Sequence, residues 1–592
     1  MNTNMVSPEV LERVGSRIMR QLVESLIYEE VVAVQEQPGV SERRVYHIQG
    51  TTEEGEPVVY SAEGIRQRAF GRLRLQSPVI RKTETEEQAT VDFARFLSEI
   101  TDSLQEKPEQ ILSMVRELNQ TWWKDGLVQQ GVSAPESPDL PFSTLEGLMV
   151  HAHPYHPCYK SRIGFNGEDQ QTYGPEFLPE GSLLWVALRK DWAMGPGSPP
   201  LNHPEWEEGE VELLRKKIRE RGMDPEDYWL VPVHPWQWRE QVEPLFFMLM
   251  NKHVIIPLGR TRDQYRPQQS IRTMSNTTRT GRADIKLPLS ITNTSAKRIL
   301  GAHHVENAVP VSDWLHGLAQ TDDYLSKKGT LFLREWAAVL LDESRLPRTM
   351  RQLSYGVLGA IWRESVLQKL KQDEGVVPFT LLCHLDRQGR PLTDPWVKQW
   401  GLKPWVRGVL EKTILPQVHL LVKHGVALES HAQNLLLIHR KGFPNRVAFR
   451  DLPGGIRIYR EKGDTRDLPD LQPIVASHVN AALSIVTDSR AHVRDFLMDG
   501  FFHINLSEWS YFLTLHYQLP EEEFWLMAAD IIKGYREEMT LYREKWEQWD
   551  FFVREVEVGQ LTARRLFGEG EEREHQVPNP LSVYKGSRIS YN

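Results

Sequence analysis

The chain has 592 residues, which is too long for one hydrophobic core, because single cores stop growing at about 250–300 residues. Its hydrophobic pattern also changes character twice. Residues 1–120 combine a helical pattern that follows Ser7-Pro8-Glu9 with short strand-like runs such as RVYHI. Residues 121–345 carry apolar runs of strand length between loops rich in Pro and Gly, and residues 346–592 are dominated by helical patterns. We therefore predict an α+β fold with three domains at these boundaries.

Charge and cysteine content narrow the function classes. The net charge of −9 argues against a general nucleic-acid binder. The two cysteines, Cys158 and Cys383, cannot form a disulfide framework or a cysteine zinc cluster, which is typical of a reducing cytoplasm. The N-terminus lacks the pattern of a signal peptide, and the most apolar run, 243–259, is too short and too polar to span a bilayer. We expect a cytoplasmic protein without nucleic-acid or membrane partners.

The stretch HAHPYHPCYKSRIGF, residues 151–165, first suggests a zinc site. However, a residue before proline takes an extended backbone, and polyproline spacing would hold His153 and His156 roughly 9 Å apart, too far to share one ion. If SRIGF is a strand, Lys160 and Arg162 lie on one side of it, where they could meet a phosphate or carboxylate. An anion site is favoured, with a metal site and a loop of structural histidines as alternatives.

A second polar cluster occupies residues 268–298, where hydroxyl and cationic side chains repeat with few acids among them. It contains Ser270, Arg272, Thr273, Arg279, Arg282, Lys286, Thr292, Thr294, Ser295 and Arg298. Hydroxyl donors and guanidinium forks match the oxygens of phosphates and carboxylates. A solvated surface is the alternative, but the apolar run KLPLSI within the cluster favours the wall of a cleft.

A third group lies in residues 424–455. Glu429, His431 and Gln433 alternate, so on a strand they would project to one side. Asn434 follows them, and Asp451 ends the next strand-like run. Hard oxygen ligands from two neighbouring segments are a common way of holding Mg²⁺ on a nucleotide.

At these three places the sequence resembles the NRPS-independent siderophore synthetases, the IucA/IucC-like family. The resemblance is carried by HPYHPCYKSRIGF, QQSIRT, KLPLSITNTSAKR, GVALESHAQN and FRDLPGG, with VPVHPWQW (231–238) and VPNPL (577–581), and spans roughly residues 140–580. One departure is Ala152, which stands where the family often has glycine.

The resemblance implies a cupped hand of thumb, fingers and palm domains, the palm loosely kinase-like. It also implies a two-step ligation that uses ATP and Mg²⁺. A carboxylate of citrate, or of a citrate- or dicarboxylate-derived mono-amide, displaces pyrophosphate from ATP, and an amine or hydroxyl nucleophile then displaces AMP. The nucleophile would be a polyamine or a hydroxamate-type amine, and a homodimer would be usual.

Carried over by motif, the resemblance implies roles for individual residues. The ATP contacts would be His156, Lys160, Arg162, Ser270, Arg272, Thr273 and Asn434. The carboxylate would be held by Thr294, Arg298, Glu429, His431 and Gln433, and Mg²⁺ by Asn434 and Asp451. Lys286 would neutralise charge at the reacting phosphate and, with Arg298 and His431, form the catalytic set. No covalent enzyme nucleophile is implied, so Cys158 is expected to pack.

Three rival interpretations remain at this point. ESHAQN followed by RD resembles a kinase catalytic loop with its metal-binding Asp, so a phosphotransferase that releases ADP is the main alternative. Against it, neither GxGxxG nor GxxxxGK[ST] occurs. A zinc hydrolase built on HAH and a non-catalytic binder of an iron chelate are the others.

Overall fold

The computed structural model describes residues 5–104, 108–151, 153–199, 203–294, 296–461, 463–464, 466–472, 485–568 and 573–586. Ala152, where the sequence departs from the family motif, and Ser295 of the second polar cluster lie outside these residues.

The N-terminal part is the α+β unit that the pattern predicts. Its elements are α1 (Pro8–Tyr28), β1 (Gln35–Pro38), β2 (Arg44–Thr51), β3 (Pro57–Arg66), β4 (Leu73–Leu75), β5 (Ile80–Lys82), β6 (Glu87–Ala89), α2 (Phe93–Glu99), α3 (Thr101–Leu104) and α4 (Pro108–Gly131). Ser7 caps α1 by accepting the Val10 N–H, and Pro8 occupies the first helical position. The strands pair antiparallel in the order β1-β2-β3-β5-β6, with β4 also on β3. Ile18, Leu22 and Leu26 of α1 are buried in the core of this unit.

The middle part contains strands that carry several of the predicted site residues. Its elements are α5 (Phe142–Leu148), α6 (Gly167–Tyr173), β7 (Leu184–Arg189), β8 (Ala193–Gly197), α7 (Glu208–Arg219), β9 (Tyr228–Val233), α8 (Pro235–Gln237), α9 (Glu243–Asn251), β10 (Ile255–Arg260), β11 (Tyr265–Pro267), β12 (Thr273–Asn276), β13 (Asp284–Lys286), β14 (Leu289–Asn293), β15 (Ala296–Arg298), α10 (Ala302–Thr321), α11 (Asp323–Lys328), β16 (Leu331–Phe332), β17 (Glu335–Leu341), α12 (Arg348–Ser354) and β18 (Gly359–Arg363). One sheet has the order β11-β12-β13-β18-β17-β8, a second β10-β7-β9, and β14 pairs with β15.

The C-terminal part is helical around small sheets. Its elements are β19 (Gly375–Pro378), α13 (Asp394–Trp400), α14 (Leu402–His419), β20 (Val426–Leu428), β21 (Leu435–Arg440), β22 (Phe443–Phe449), β23 (Ile456–Tyr459), β24 (Val486–Thr487), α15 (Arg490–Leu497), α16 (Ser507–Tyr517), α17 (Glu521–Glu538), α18 (Arg543–Trp549), β25 (Glu555–Gly559), α19 (Leu561–Phe567) and β26 (Glu574–Pro578). The sheets have the orders β16-β22-β21-β19 and β20-β23-β24, and β25 pairs with β26. β21 and β22 form an antiparallel hairpin. Its turn is at Lys441 and Gly442, both with positive φ, which suits a tight hairpin.

The N-terminal and C-terminal parts pack against each other. The carboxylate of Glu29, at the end of α1, accepts the hydroxyl of Tyr155 at 2.6 Å and the backbone N–H groups of Thr562 and Ala563 at 3.0 and 2.7 Å. Tyr28 and Phe70 are also buried in the hydrophobic core of the C-terminal part, so polar and apolar contacts both join distant segments of this mixed helix-and-sheet, multidomain fold. Within the described residues, none of the helices combines the length and apolarity needed to cross a membrane.

Candidate active site

A cavity of about 870 Å³ brings the three polar clusters of the sequence together. Most of the predicted site residues line it: Arg162, Ser270, Arg272, Lys286, Thr294, Arg298, Glu429, His431, Gln433, Asn434 and Asp451. These side chains come from parts of the chain up to 289 residues apart (Arg162 to Asp451), so the fold and not local spacing assembles them. His156, Lys160 and Thr273 do not line the cavity.

Three cationic side chains from the middle part of the chain, Arg272, Lys286 and Arg298, line the cavity. Arg272 donates to the Ile299 carbonyl at 2.5 Å, and Arg298 donates to the Asn293 carbonyl at 3.0 Å. The Nε atom of Arg298 is buried without a partner. Burial, and then the charge of Arg272, lowers the pKa of Arg298 to about 10, so the guanidinium remains charged at neutral pH but is poorly neutralised. This wall is suited to an anion.

Lys286 and Asp451 link the middle part to the C-terminal part. Lys286 Nζ lies 2.8 Å from Asp451 Oδ1, and Arg363 Nη1 lies 3.3 Å from the same oxygen. Burial alone would raise the pKa of Asp451, but Lys286 and Arg363 outweigh it and hold the pKa well below its usual range. Asp451 is therefore ionised at neutral pH. Both cations contact its Oδ1, and the residue lines the cavity.

A network of buried polar side chains is hydrogen-bonded to Arg363, one of the two cations that contact Asp451. Arg363 donates to Gln268 at 2.8 Å and to Asp284 at 3.0 Å, and Gln268 also donates to Asp284 at 2.8 Å. Arg450 donates to the same Gln268 oxygen at 3.1 Å and pairs with buried Glu146 at 2.8 Å. Because every member has a charged or hydrogen-bonded partner, the network holds Asp451 and the Ser270 turn in fixed positions.

Strained backbone accumulates around the cavity. Ile271, Thr294 and Asp451 have φ values of 65°, 59° and 60°, and Arg162 has a φ of 38°. Positive φ is costly for residues with a Cβ atom, above all for β-branched ones, and such strain is concentrated at functional sites in proteins. Ile271 lies between Ser270 and Arg272, so the strained turn is the one that presents both side chains.

The segment that carries Glu429, His431 and Gln433 is not a strand, and the prediction that they alternate on one is wrong. β20 ends at Leu428, and a 3-10 turn covers Ala432–Asn434. The three side chains nevertheless line the cavity. Asn434 donates its side-chain N–H to the Glu429 carbonyl at 2.9 Å, which leaves its amide oxygen as the atom available to a ligand.

The histidines of residues 151–156 do not form a metal site. His153 Nδ1 accepts the backbone N–H groups of Tyr155 and His156 at 3.3 and 3.2 Å, and His156 Nδ1 accepts that of Cys158 at 3.0 Å. Burial lowers the pKa of His153 to about 3, so the ring is neutral. Within the described part of the chain, the group that could share a metal ion is Asp322, His419 and His424, which lies outside the cavity and already holds Lys423. The geometry does not favour the zinc hydrolase alternative.

Lys160 and Arg162 are paired with acids, and the strand assumed for SRIGF is wrong apart from one bridge at Ile163. Lys160 is fully buried and donates to Asp125 at 2.6 Å and to the Val150 carbonyl at 2.5 Å. Arg162 forms two bonds to Glu176, at 2.8 and 2.9 Å. The structure places Lys160 behind the cavity wall and leaves only part of Arg162 on it.

His156 and Thr273 are also fully buried. Thr273 Oγ1 accepts the hydroxyl of Ser270 at 2.9 Å, and the Thr273 N–H donates to Ser270 Oγ at 3.2 Å, so Thr273 orients Ser270 from behind. His156 Nε2 has no partner. Cys158 is buried with its sulfur 3.7 Å from that of Met114, as expected of a packing residue.

Sequence reasoning missed several acids that line the cavity, and two of them, Glu146 and Glu335, are fully buried. Glu146 is fully buried between Arg450 and the Gln269 N–H, which it accepts at 3.3 Å. Glu335, the first residue of β17, is also fully buried, and neither carboxylate oxygen has a hydrogen-bond partner. Glu335 is a single acid before the apolar run WAAVLL, so no repeating pattern marks it as a site residue. Its isolation at the start of a buried strand is the one signal that could have found it.

Replacing Glu335 by glutamine is expected to stabilise the protein in a pH-dependent manner. Burial raises the pKa of Glu335 from 4.5 to about 6, so its contribution to stability is full below pH 4.5 and is lost as the pH rises through 6. A shift of this size corresponds to about 2 kcal/mol. Since glutamine cannot ionise, urea denaturation should show the variant about 2 kcal/mol more stable relative to wild type at pH 7.5 than at pH 4.5.

Glu54→Gln, which changes an exposed loop acid, is the matched control and should show no such pH dependence. If Glu335→Gln changed the free energy of unfolding equally at both pH values, the assignment of a raised pKa to Glu335 would be contradicted.

Comparison with known proteins agrees with these motifs. The family model described as "IucA / IucC family" matches residues 141–384, and that described as "Ferric iron reductase FhuF-like transporter" matches residues 403–574. A 2-[(L-alanin-3-ylcarbamoyl)methyl]-3-(2-aminoethylcarbamoyl)-2-hydroxypropanoate synthase of Staphylococcus aureus is 35% identical, over 98% of this chain and 94% of its own. The chain belongs to the IucA/IucC family. That relative aligns across both matched segments, so they are parts of one architecture.

Two further proteins are similar to this chain along nearly its whole length. A citryl-spermidine/3,4-dihydroxybenzoyl-citryl-spermidine:spermidine ligase of Bacillus anthracis is 32% identical over 98% of this chain and 97% of its own. The crystal structure of petrobactin biosynthesis protein AsbB from Bacillus anthracis superposes with a TM-score of 0.90 at 32% identity, covering 97% of this chain and 96% of that one. The predicted family, and with it a ligase of siderophore biosynthesis, is confirmed, and the phosphotransferase alternative is not favoured.

Proposed function

We propose that the protein is an ATP-dependent ligase that adenylates a carboxylate of citrate or, in preference, of a citrate- or dicarboxylate-derived mono-amide, and joins it to an amine or hydroxyl nucleophile. The observation that carries the proposal is the cavity that holds Arg272, Lys286 and Arg298 beside the carboxylate of Asp451. Two anions, a triphosphate and a carboxylate, must approach each other in this reaction. Several preorganised cations in one cavity are what such an approach requires.

Ser270 and Arg272 are assigned to the ATP phosphates, because the strained turn at Ile271 presents both to the cavity. Lys286 neutralises charge at the reacting phosphate. As a carboxylate oxygen bonds to the α-phosphorus, the bond to the bridging oxygen breaks and pyrophosphate leaves. The nucleophile then bonds to the acyl carbon, and AMP and a proton are released. Thr273 orients Ser270 from behind the wall, and Lys160 and Arg162 act through their ion pairs with Asp125 and Glu176.

Mg²⁺ is the metal that this site fits. The amide oxygen of Asn434 and Oδ2 of ionised Asp451 are hard oxygen donors in the same cavity, as Mg²⁺ prefers. The ion would supply further positive charge at the phosphates.

Arg298 and Thr294 are assigned to the carboxylate substrate, with Glu429, His431 and Gln433 beside them. Arg298 is already held by the Asn293 carbonyl and by Thr294 Oγ1 at 3.4 Å, so its remaining N–H groups have a fixed direction. Arginine in a fixed orientation can bind a carboxylate through two parallel bonds. The relatives named for citryl and 2-hydroxypropanoate compounds support a citrate-type carboxylate, and those named for spermidine and aminoethyl groups support an amine.

The thumb, fingers and palm arrangement of a cupped hand, with a loosely kinase-like palm, remains part of the proposal, as does a homodimer. A first boundary at residue 120, as the sequence suggests, would divide α4 (Pro108–Gly131), so we place it after that helix. A second boundary at 345 would separate β17 from β18, which pair in one sheet. A boundary just after Arg363 keeps that sheet whole.

The products of the nucleotide test the proposal. Incubated with MgATP, a citrate-type carboxylate and an amine, the protein is expected to release AMP and pyrophosphate in equal amounts and to form the amide, detected by mass spectrometry. Omission of the carboxylate is the control and should abolish pyrophosphate release. Formation of ADP, or pyrophosphate release that no carboxylate stimulates, would contradict the proposal.

A further inference from the structure

The sheet that contains β13, β18 and β17 carries a row of charged side chains on one face. Asp284 of β13, Arg363 of β18 and Glu335 of β17 lie opposite one another across these three strands. Lys286 follows Asp284 by two residues on β13. Residues opposite each other in antiparallel strands, and residues two apart on one strand, project to the same face. Two cations and two acids therefore share this face, and both cations contact Asp451.

The two acids of this row differ in how well they are partnered. Asp284 accepts the hydroxyl of Ser275 at 2.8 Å on one oxygen, and Gln268 at 2.8 Å and Arg363 at 3.0 Å on the other. Glu335 is fully buried and lines the cavity, yet neither of its oxygens accepts a hydrogen bond from the residues that the structure describes. A buried acceptor without a donor is costly. Glu335 is therefore the acid of the row that can still take a cation.

Lys286 is the cation that is best placed to pair with Glu335. Burial raises the pKa of Glu335, and the charge of Lys286 has the largest opposing effect on that pKa. The strands that carry the two residues are separated by β18, so they lie roughly 10 Å apart, twice the spacing of neighbouring strands. The long side chains of lysine and glutamate can together span such a separation. Lys286 nevertheless contacts Asp451, at 2.8 Å, and leaves Glu335 unpaired.

Asp451 is the proposed ligand of Mg²⁺, and it cannot hold Mg²⁺ and Lys286 equally well. Two positive charges at one carboxylate repel each other, and the repulsion is stronger in a buried site than in water. Arg363 is retained by its ion pair with Asp284 at 3.0 Å. Lys286 makes no second ion pair within the described part of the chain. Lys286 is therefore the cation that can leave Asp451 when the metal binds there.

We propose that Glu335 is a positioning residue for Lys286: when Asp451 binds Mg²⁺ together with ATP, the ammonium group of Lys286 moves from Asp451 to Glu335, which holds it at the reacting phosphate. The inference rests on the proposed function, since that function places MgATP in this cavity. Glu335 touches neither the phosphate nor the metal and acts only through Lys286. Its carboxylate is unpartnered in the free protein and gains its partner when the nucleotide is bound.

A double-mutant cycle of Glu335→Gln and Lys286→Met tests this role. The Kd of ATP for the intact protein is measured by calorimetry at pH 7.5, without a carboxylate substrate, both with Mg²⁺ and with a chelator. With Mg²⁺, we expect Glu335→Gln to raise the Kd about tenfold in the wild-type background and to have no effect in the Lys286→Met background. With the chelator, Lys286 stays on Asp451, so Glu335→Gln should not weaken ATP binding. Glu54→Gln, an exposed change, is the control.

The outcomes separate this inference from the proposed function. If no carboxylate supports pyrophosphate release, the proposed function fails, and the binding cycle still decides the role of Glu335. Equal weakening by Glu335→Gln in both backgrounds would overturn the inference alone, because a structural role or direct contact with the metal predicts that result. Unchanged or tighter binding of MgATP to the single variant would also overturn it, since an acid that only repels the triphosphate has that effect. Unfolding cannot mimic the expected loss, because Glu335→Gln is expected to stabilise the protein at this pH.

Discussion

Replacing Arg298 by alanine is expected to reduce carboxylate-dependent pyrophosphate release by about 10²–10³-fold, since losing one preorganised donor costs about 3 kcal/mol. The guanidinium is held by the Asn293 carbonyl and by Thr294 Oγ1, and its Nε is buried without a protein partner. Arg272, whose charge acts on Arg298, donates instead to the Ile299 carbonyl. Initial rates at saturating MgATP, with the carboxylate varied, measure the loss.

Cys158→Ala is the control for this variant. It removes a buried sulfur that packs against Met114 and should retain turnover, because no covalent nucleophile is required. Near-normal turnover of Arg298→Ala would count against the assigned carboxylate site.

Replacing Asp451 by asparagine is expected to weaken ATP binding about 100-fold or more in the presence of Mg²⁺, because the site loses its charged metal ligand. Without Mg²⁺ we expect the substitution to have the opposite effect on ATP affinity. Asp451 contacts Lys286 and Arg363 through one oxygen, so removing its charge leaves Lys286, which lines the cavity, free to attract the triphosphate. Metal-free ATP should therefore bind more tightly to the variant than to wild type.

Calorimetric titration of ATP with Mg²⁺ and in the presence of a chelator measures both effects. Asp313→Asn removes a half-exposed acid that pairs with Arg334 at the surface and serves as the matched control. Equal weakening under the two conditions would show that Asp451 acts only by supporting the fold.

The motifs predict much of the candidate site because the reaction chemistry dictates residue types that stay recognisable without their surroundings. Arg272, Arg298 and Asp451 are examples, and all of them line the cavity. Lys160 was predicted to line it for the same reason, but its partner Asp125 lies 35 residues earlier in the chain. A cation on a cavity wall and a cation in a buried ion pair have the same local sequence signal.

Backbone geometry was harder to predict than residue type. The alternation of Glu429, His431 and Gln433 indicates a strand, yet the chain turns after Leu428 into a 3-10 turn. Glu335 was missed because what distinguishes it is a buried carboxylate without a hydrogen-bond partner in the folded protein. The residues beside it in the sequence do not reveal this.

The contact of Asp451 with Lys286 and Arg363 has a consequence for how the chain can be recombined. Lys286 and Arg363 belong to the segment matched by one family model, and Asp451 to the segment matched by the other. A chimaera that takes the two segments from different relatives would have to preserve this ion pair across the junction. Without it, Lys286 would lose its counter-charge at the active site, and Arg363 would keep only its pair with Asp284. The two segments therefore depend on each other at the active site, although their sequences are recognised separately.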